Sequence, residues 1–292
     1  MPSSVPHRVA VVLHRLKAQP WGVVVKEDLE AGLAGHPGVQ LEFADPEGNA
    51  AEQVRLVETY LAAGVSALVV LPLDGKLLRP ALERYRAAGV PVIVLDNDLG
   101  APELYRTLIL SDNRLFGRKL GEFFVEVSAG KLDLIEVRGL PATSAAQDRS
   151  QGFREAIAAS PGVRVVASLD ADWLHARAKE QLPRVLASHP RVEAIFAQND
   201  EMARGALEAA EAAGRGESVL ITGIDALRGE HGIQLVMQGR LGATLMNPSP
   251  GRPAATALLS VLSGEPCLPR TVLQTSLLRS KERIRAWQEG RR

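Results

Sequence analysis

The sequence predicts an α/β protein of parallel sheets with helices on both faces, arranged as two similar lobes. Three observations carry this expectation. Short β-rich apolar runs alternate with segments of helical period along nearly the whole chain, the pattern of parallel sheets covered on both sides. The 292 residues suffice for two domains of about 100–200 residues each. The halves also echo each other: Pro37-Gly38-Val39 and Pro161-Gly162-Val163 each open a strand, and each is followed by a helix and then by Val65–Leu71 or Val192–Ala197. The spacing between these segments is 124 and 127 positions, far beyond the roughly 20–50 residues of a solenoid repeat.

In chain order, strands are expected at Arg8–Leu13, Val39–Phe43, Ala67–Leu71, Pro91–Leu95 and Thr107–Leu110 in the first half. They continue at Leu132–Val137, Val163–Ser168, Glu193–Ala197, Ser218–Thr222, Gly242–Met246 and Thr271–Thr275. Between them, Val54, Val57 and Leu61 recur at helical spacing, as do Leu78, Leu82 and Tyr85, so each segment offers one apolar stripe to a sheet. Three helices stop alike, at Gly64, Gly89 and Gly214, each after two alanines, because glycine best adopts the left-handed cap. The charged helix Lys281–Gln288 ends the series, with Trp287 expected to pack it onto a lobe.

Composition excludes several function classes. Lys plus Arg and Asp plus Glu number 34 each, so no summed positive field recruits nucleic acid or an anionic lipid surface. No apolar run reaches the ~18 residues needed to cross a bilayer. The single cysteine, Cys267, has no internal disulfide partner, and the six histidines show no zinc-like spacing with it; neither metal nor cofactor is expected. The N-terminal stretch MPSSVPHRVAVVLHRL lacks the basic, apolar and small-residue regions of a secretory signal. The expected compartment is therefore the periplasm if a signal has been omitted, and the cytoplasm otherwise.

In open parallel sheets, ligands sit beyond the carboxyl ends of the strands. The polar and aromatic side chains following the expected strands are Gln19, Trp21, Asp96, Asn97, Gln147, Trp173, Asn199, Asp225 and Asn247. Carboxylates and amides suit vicinal hydroxyls, and an aromatic face suits the C–H patches of a sugar ring. Taken singly, Asp and Asn at such junctions are more often helix N-caps, Asn199 and Asp200 being the clearest case. Trp21 and Trp173 could equally be core residues.

Phe196-Ala197-Gln198-Asn199-Asp200-Glu201-Met202-Ala203, followed by Gly205-Ala206-Leu207, resembles the ribose- and galactose-binding branch of the type I periplasmic solute-binding proteins. Further similarity lies in Ala142–Ala146, Arg149–Phe153, Pro91–Asp96 and Gly223-Ile224-Asp225, and runs from about Val9 to Thr275. The resemblance implies two Rossmann-like lobes joined by three crossovers, over 1–110 with 247–275 and 111–246 with 276–292. It implies a non-catalytic, monomeric receptor that closes on a small sugar or polyol in the interlobe cleft and reports to an ATP-powered membrane permease or a chemoreceptor. It places ligand contacts on the same nine residues. The sequence departs from ribose-binding members at Asn97 and Gln147, where they have arginines, and at Gly22, where they have a second aromatic. Ribose itself is thereby in doubt, an amino sugar is a lower-ranked ligand, and Arg149 is either a replacement guanidinium or, as the family pattern favours, structural.

Two rivals stand beside this reading. The effector domains of lac-repressor-like regulators share the fold, making a cytoplasmic ligand-sensing module the alternative. The first strand near Arg8 leaves no room in this sequence for a DNA-reading headpiece. An enzyme is the other rival, but no dinucleotide fingerprint, phosphate loop or nucleophile elbow occurs, so no catalytic residue is assigned.

Overall fold

A computed structural model describes residues 6–17, 19–227, 229 and 231–291. The start of the first expected lobe, residues 1–5, and the end of the second, residue 292, lie outside the described residues. The elements run β1 (His7–Val12), α1 (Pro20–Leu33), β2 (Val39–Ala44), α2 (Ala50–Ala62), β3 (Ala67–Val70), α3 (Gly75–Ala87), β4 (Val92–Leu95), β5 (Thr107–Ser111), α4 (Asn113–Val127), β6 (Leu132–Arg138), α5 (Ser144–Ile157) and β7 (Val163–Asp170). They continue α6 (His175–Ser188), β8 (Ala194–Ala197), α7 (Asp200–Ala212), β9 (Leu220–Asp225), α8 (Gly232–Met237), β10 (Ala243–Met246), α9 (Gly251–Ser263), β11 (Arg270–Leu273), β12 (Leu277–Arg279) and α10 (Lys281–Gly290).

The chain divides into two compact units, one of residues 1–111, 142–144 and 249–273, the other of 112–141, 145–248 and 274–292. These boundaries differ from the expected ones at Ser111, the last residue of β5, which falls in the first unit, and at three further points. Asn247 and Pro248 stay with the second unit, where Asn247 donates to Asp225. Thr275 stays there too, its hydroxyl donating to Met246 O at 2.5 Å. Ala142–Ser144 joins the first unit, the Asp98 N–H donating to Ser144 Oγ at 2.9 Å.

In the first unit the sheet order is β11-β5-β4-β3-β1-β2, with every pair parallel. Its inner strands β3 and β4 are apolar at every position and buried throughout, as strands covered on both faces must be. Alternate residues of β1 feed two cores. Ala10 and Val12 meet the stripe of α2 and α3, while Val9 and Val11 meet α1 and α9. Each fully buried Val or Leu contributes roughly 1.5–3 kcal/mol.

The second unit repeats the plan as β12-β10-β9-β8-β6-β7. Ile135 and Val137 face the core under α6 and α7, and Leu132 and Leu134 face that of α4 and α10. Trp287 is buried there and donates to Glu193 O at 2.9 Å. The two Pro-Gly-Val segments open β2 and β7, equivalent edge strands paired with β1 and β6. Gly64, Gly89 and Gly214 end α2, α3 and α7 at φ of +71°, +69° and +68°.

Two strand expectations need correction. β12 was not anticipated; it is three residues long and pairs antiparallel with β10, too short to show a period. The expected strand Ser218–Thr222 instead spans Leu220–Asp225, because Gly223, Ile224 and Asp225 continue the pairing with β10. Asp225 is therefore the last residue of a strand, not one that follows it.

Candidate functional site

Consecutive parallel strands put their following loops at one edge of a sheet. With the strand order 2-1-3-4-5, the winding reverses beside the first strand and opens a crevice beyond its carboxyl end, where ligands bind. That reversal falls between β1 and β3 in the first unit and between β6 and β8 in the second. The loops of both carboxyl edges hold the candidate residues.

In the first unit, the turn between β1 and α1 is pinned by Asp45, whose carboxylate accepts the N–H of Arg15, Leu16 and Glu47, each at 2.7 Å. Gln19 closes this turn with its N–H on Arg15 O at 2.9 Å, and its side chain is buried. Trp21, one residue into α1, is half-buried against the core of β1, α1 and α9. Asp96 follows β4 at φ +56°, buried, its N–H on Ile109 O at 2.8 Å. Asn97 Nδ2 donates to Pro72 O at 2.8 Å, tying the ends of β4 and β3 together.

His14 belongs to the same turn and was not singled out in the sequence. It is buried, and its pKa is pushed down to about 4, chiefly by burial and then by the charge of Arg15, with Asp45 opposing. The imidazole is therefore neutral through the physiological range. The signal that could have found it is its place directly after the apolar run of β1.

In the second unit, Asn199 caps α7: its Oδ1 accepts the Met202 N–H at 2.8 Å, and its Nδ2 donates to Trp173 O at 3.1 Å. The capping reading thus describes Asn199, and its amide also holds Trp173 in place. Trp173 sits at φ +68°, only 8% exposed. Its ring lies over Gly139, where any Cβ would fall 2.1 Å from the ring carbon Cζ2; only glycine fits there. Arg149 is the other support. Its guanidinium lies between the rings of Phe116 and Trp173, 5.4 and 5.1 Å from their centroids, donates to Asn113 Oδ1 at 2.8 Å and also bonds Gln198 O.

Gln198 is a second residue missed in the sequence. Its Oε1 accepts the Gly139 N–H at 2.9 Å, and its Nε2 donates to Ser150 Oγ at 2.8 Å and Glu136 Oε1 at 3.2 Å. Glu136, wholly buried in β6, also accepts from Ser150, Ser168 and Arg154, so its charge is compensated. No local motif announces such a network.

Asp225, at φ +121°, accepts from Asn247 Nδ2 at 3.2 Å. Behind it, Asp200 is fully buried, accepting Thr244 Oγ1 at 2.7 Å and the Leu227 N–H at 3.1 Å. Burial, reinforced by the nearby Asp225 charge, raises the Asp200 pKa well above the usual range. Asp200 is thus a core group and Asp225 the one at the sheet edge.

Gln147 lies on α5. It is exposed, donates to Pro141 O at 2.9 Å and lines a small hollow with Arg138, Ser150 and Arg154. Two positions along a helix is a rotation of about 200°, so Gln147 and Arg149 lie on opposite faces of α5.

A larger groove of about 1270 Å³ lies at the amino-terminal edge of the second sheet, lined by Lys131, Asp133, Arg164, Glu193 and Trp287 among others. Two ion pairs lie in it, Arg164 with Asp133 and Arg291 with Glu193. We place the candidate site at the carboxyl edges, where the strained and buried polar residues collect. Among the described residues, no group of three or more His, Cys, Asp or Glu could hold a metal ion, and no helix is long and apolar enough to cross a membrane.

Residues 9–266 match the periplasmic binding protein domain. The chain belongs to that family. This periplasmic binding protein is 33% identical over 237 residues to the ribose import binding protein of Escherichia coli K12, covering 81% of the chain and 78% of the relative. Two solved structures share its fold. The arabinose-transporter binding protein of Shewanella sp. ANA-3, bound to L-arabinofuranose, has a TM-score of 0.86 at 28% identity, over 98% and 95% of the two chains. The fructose-binding periplasmic domain of a hybrid two-component system has a TM-score of 0.89 at 27% identity, over 97% and 94%. These relatives are binding proteins by name, not enzymes.

Proposed function

We propose that this periplasmic binding protein is the solute receptor of an ATP-powered importer and binds one small sugar or polyol. The observation that carries the reading is made in each unit by itself. Asp96 in one unit, and Asp225 and Trp173 in the other, are buried at strand ends in backbone conformations that glycine would hold more easily. Carboxylates bind paired hydroxyls and an indole face packs on ring C–H groups.

Gln19, Trp21 and Asn247 complete the contact set, while Asn97, Asn199 and Arg149 hold the contacting residues in position. Gln147 joins the set as its most exposed member. The ribose import relative and the arabinose transporter neighbour support both the ligand class and the importer, and the family supports a periplasmic location. The hybrid two-component neighbour supports a sensor protein as the alternative partner.

The test is a thermal-shift screen of D-ribose, L-arabinose, D-galactose, D-fructose, D-allose and myo-inositol, since a ligand bound only by the folded form raises Tm. At least one should raise it, and Asp225→Ala and Trp173→Ala should each weaken that sugar by roughly tenfold or more. No shift with any of them, or wild-type affinity in both variants, refutes the reading.

A further inference from the structure

We infer that His14 is a ligand-contacting, specificity-determining residue that acts with Gln19 as a neutral hydrogen-bonding pair, favouring uncharged sugars over sugar acids and sugar phosphates. The inference rests on the sugar-binding reading above and names which ligands that site takes.

Both side chains come from the turn between β1 and α1, beyond the carboxyl end of β1 and beside the switch point with β3. Both are more than nine-tenths buried, His14 at 5% and Gln19 at 8% exposure. Yet His14 Nδ1 and Gln19 Nε2 are buried atoms that meet no hydrogen-bond partner among the described residues. Buried polar atoms are nearly always partnered. Exceptions at His14 and Gln19, in one short turn at the place where this kind of sheet binds ligands, point to a partner that is not part of the chain.

The turn cannot simply relax to rescue them. Asp45 holds two of its N–H groups, Gln19 N–H is fixed on Arg15 O, and Arg15 sits at φ +58°. The pair can serve a hydroxyl in either sense: the amide nitrogen only donates, while a neutral imidazole has one donor and one acceptor. Burial and Arg15 both keep the imidazole uncharged. Of the two cations of the turn, Arg15 packs against Gly48, where a Cβ would fall 2.4 Å from its Nε, and Lys17 is exposed on the outside, 3.9 Å from Glu47. The turn therefore sets neutral groups beside the Asp96 edge, and a carboxylate or phosphate on the ligand would meet Asp96 without a cation supplied by the pair.

Isothermal titration of the full chain tests this, with the neutral sugars named above and with D-galacturonate and D-ribose 5-phosphate as charged probes. For the neutral sugar that binds best, His14→Phe and Gln19→Met should each raise Kd roughly tenfold to a hundredfold, leaving the ligand-free Tm unchanged or higher. His14→Asn, which restores a polar atom, should recover part of what His14→Phe loses. Each charged probe should bind at least tenfold more weakly than D-galactose or D-ribose respectively. If both variants bind within twofold of wild type, these atoms serve the fold alone and the inference is overturned, while the sugar-binding reading stands. Should His14→Phe not fold, Gln19→Met decides by the same threshold. A charged probe binding as tightly as its neutral counterpart overturns the specificity. If no neutral sugar binds the wild type, the reading beneath it fails as well.

Discussion

Arg149→Leu separates two roles that the sequence leaves open for this residue, support of the fold or direct contact with ligand. The structure assigns the guanidinium to support: it is 3% exposed, bonds Asn113 Oδ1 and Gln198 O, and fills the gap between Phe116 and Trp173. Hydrogen bonds from a charged donor contribute about 1.5–3 kcal/mol each, and a buried cation on an aromatic face about 0.5–2 kcal/mol. These terms share one side chain and do not add. Leucine also leaves Gln198 O and Asn113 Oδ1 facing an apolar group, so the net loss should be about 3–5 kcal/mol. Arg149→Lys should recover less than half, because a single ammonium cannot span both acceptors and stack. Urea unfolding followed by circular dichroism measures the loss, and sugar titration of the same variant measures the indirect effect of a loosened Trp173. A variant within about 1 kcal/mol of wild type but unable to bind sugar would refute this assignment and make Arg149 a contact residue.

Three further outcomes follow from the same geometry. Asp200→Asn should stay within about 1 kcal/mol of wild type at neutral pH, since a buried, protonation-prone carboxyl is replaced by a neutral isostere that can still serve Thr244 and Leu227. The raised pKa means the folded state holds a proton that the unfolded state releases, so wild type should lose stability as pH rises through that interval, and Asp200→Asn should lose less in chemical denaturation across pH 4–8. His14 acts in the opposite sense. Its folded pKa of about 4 lies below the 6.5 of the free side chain, so stability should fall as pH drops from 6.5 toward 4, by at most ~3 kcal/mol. Comparing wild type with His14→Phe at pH 7 and pH 4.5 isolates that slope. Asp96→Gly should keep stability within about 1 kcal/mol, because glycine relieves the φ of +56°, yet cost roughly tenfold or more in sugar affinity by titration; retained affinity would remove Asp96 from the site.

How much of this was legible follows from which signals are local. The inner strands declare themselves because a strand covered on both faces is apolar at every position, as in Ala67–Val70 and Val92–Leu95. The left-handed glycines ending α2, α3 and α7 are equally local. β12 is hidden because three residues carry no period, and its partner is distant in sequence. Residue type and strand-end position single out Asp96, Trp173, Asp225 and Asn247 as candidates, but not what each atom does. That Asn199 caps α7 while holding Trp173 O depends on a contact 26 residues back in the chain, and the Gln198 network joins β6, α5 and the segment after β8. The separation of Gln147 from Arg149 could have been read from helical phase, since Ala145, Arg149 and Gly152 share the buried face of α5.

Backbone strain distinguishes residues kept for their side chains from residues kept for their turns. Among the described residues, Arg15, Asp96, Asp172, Trp173, Asp225 and Ala226 all hold positive φ just after, or at the end of, β1, β4, β7 and β9. Such conformations cost about 1–3 kcal/mol each for residues other than glycine. Where this chain needs only a change of direction, at the ends of α2, α3 and α7, it uses glycine. At Asp96, Trp173 and Asp225 it keeps a carboxylate or an indole instead. The surrounding contacts show how the strain is held: Trp173 by Asn199, Arg149 and the bare face of Gly139, and Asp225 by Asn247 and the continued pairing of β9 with β10. A turn that merely connected strand to helix would gain from glycine at these positions. Under the proposed reading, these side chains are the ones that meet the sugar.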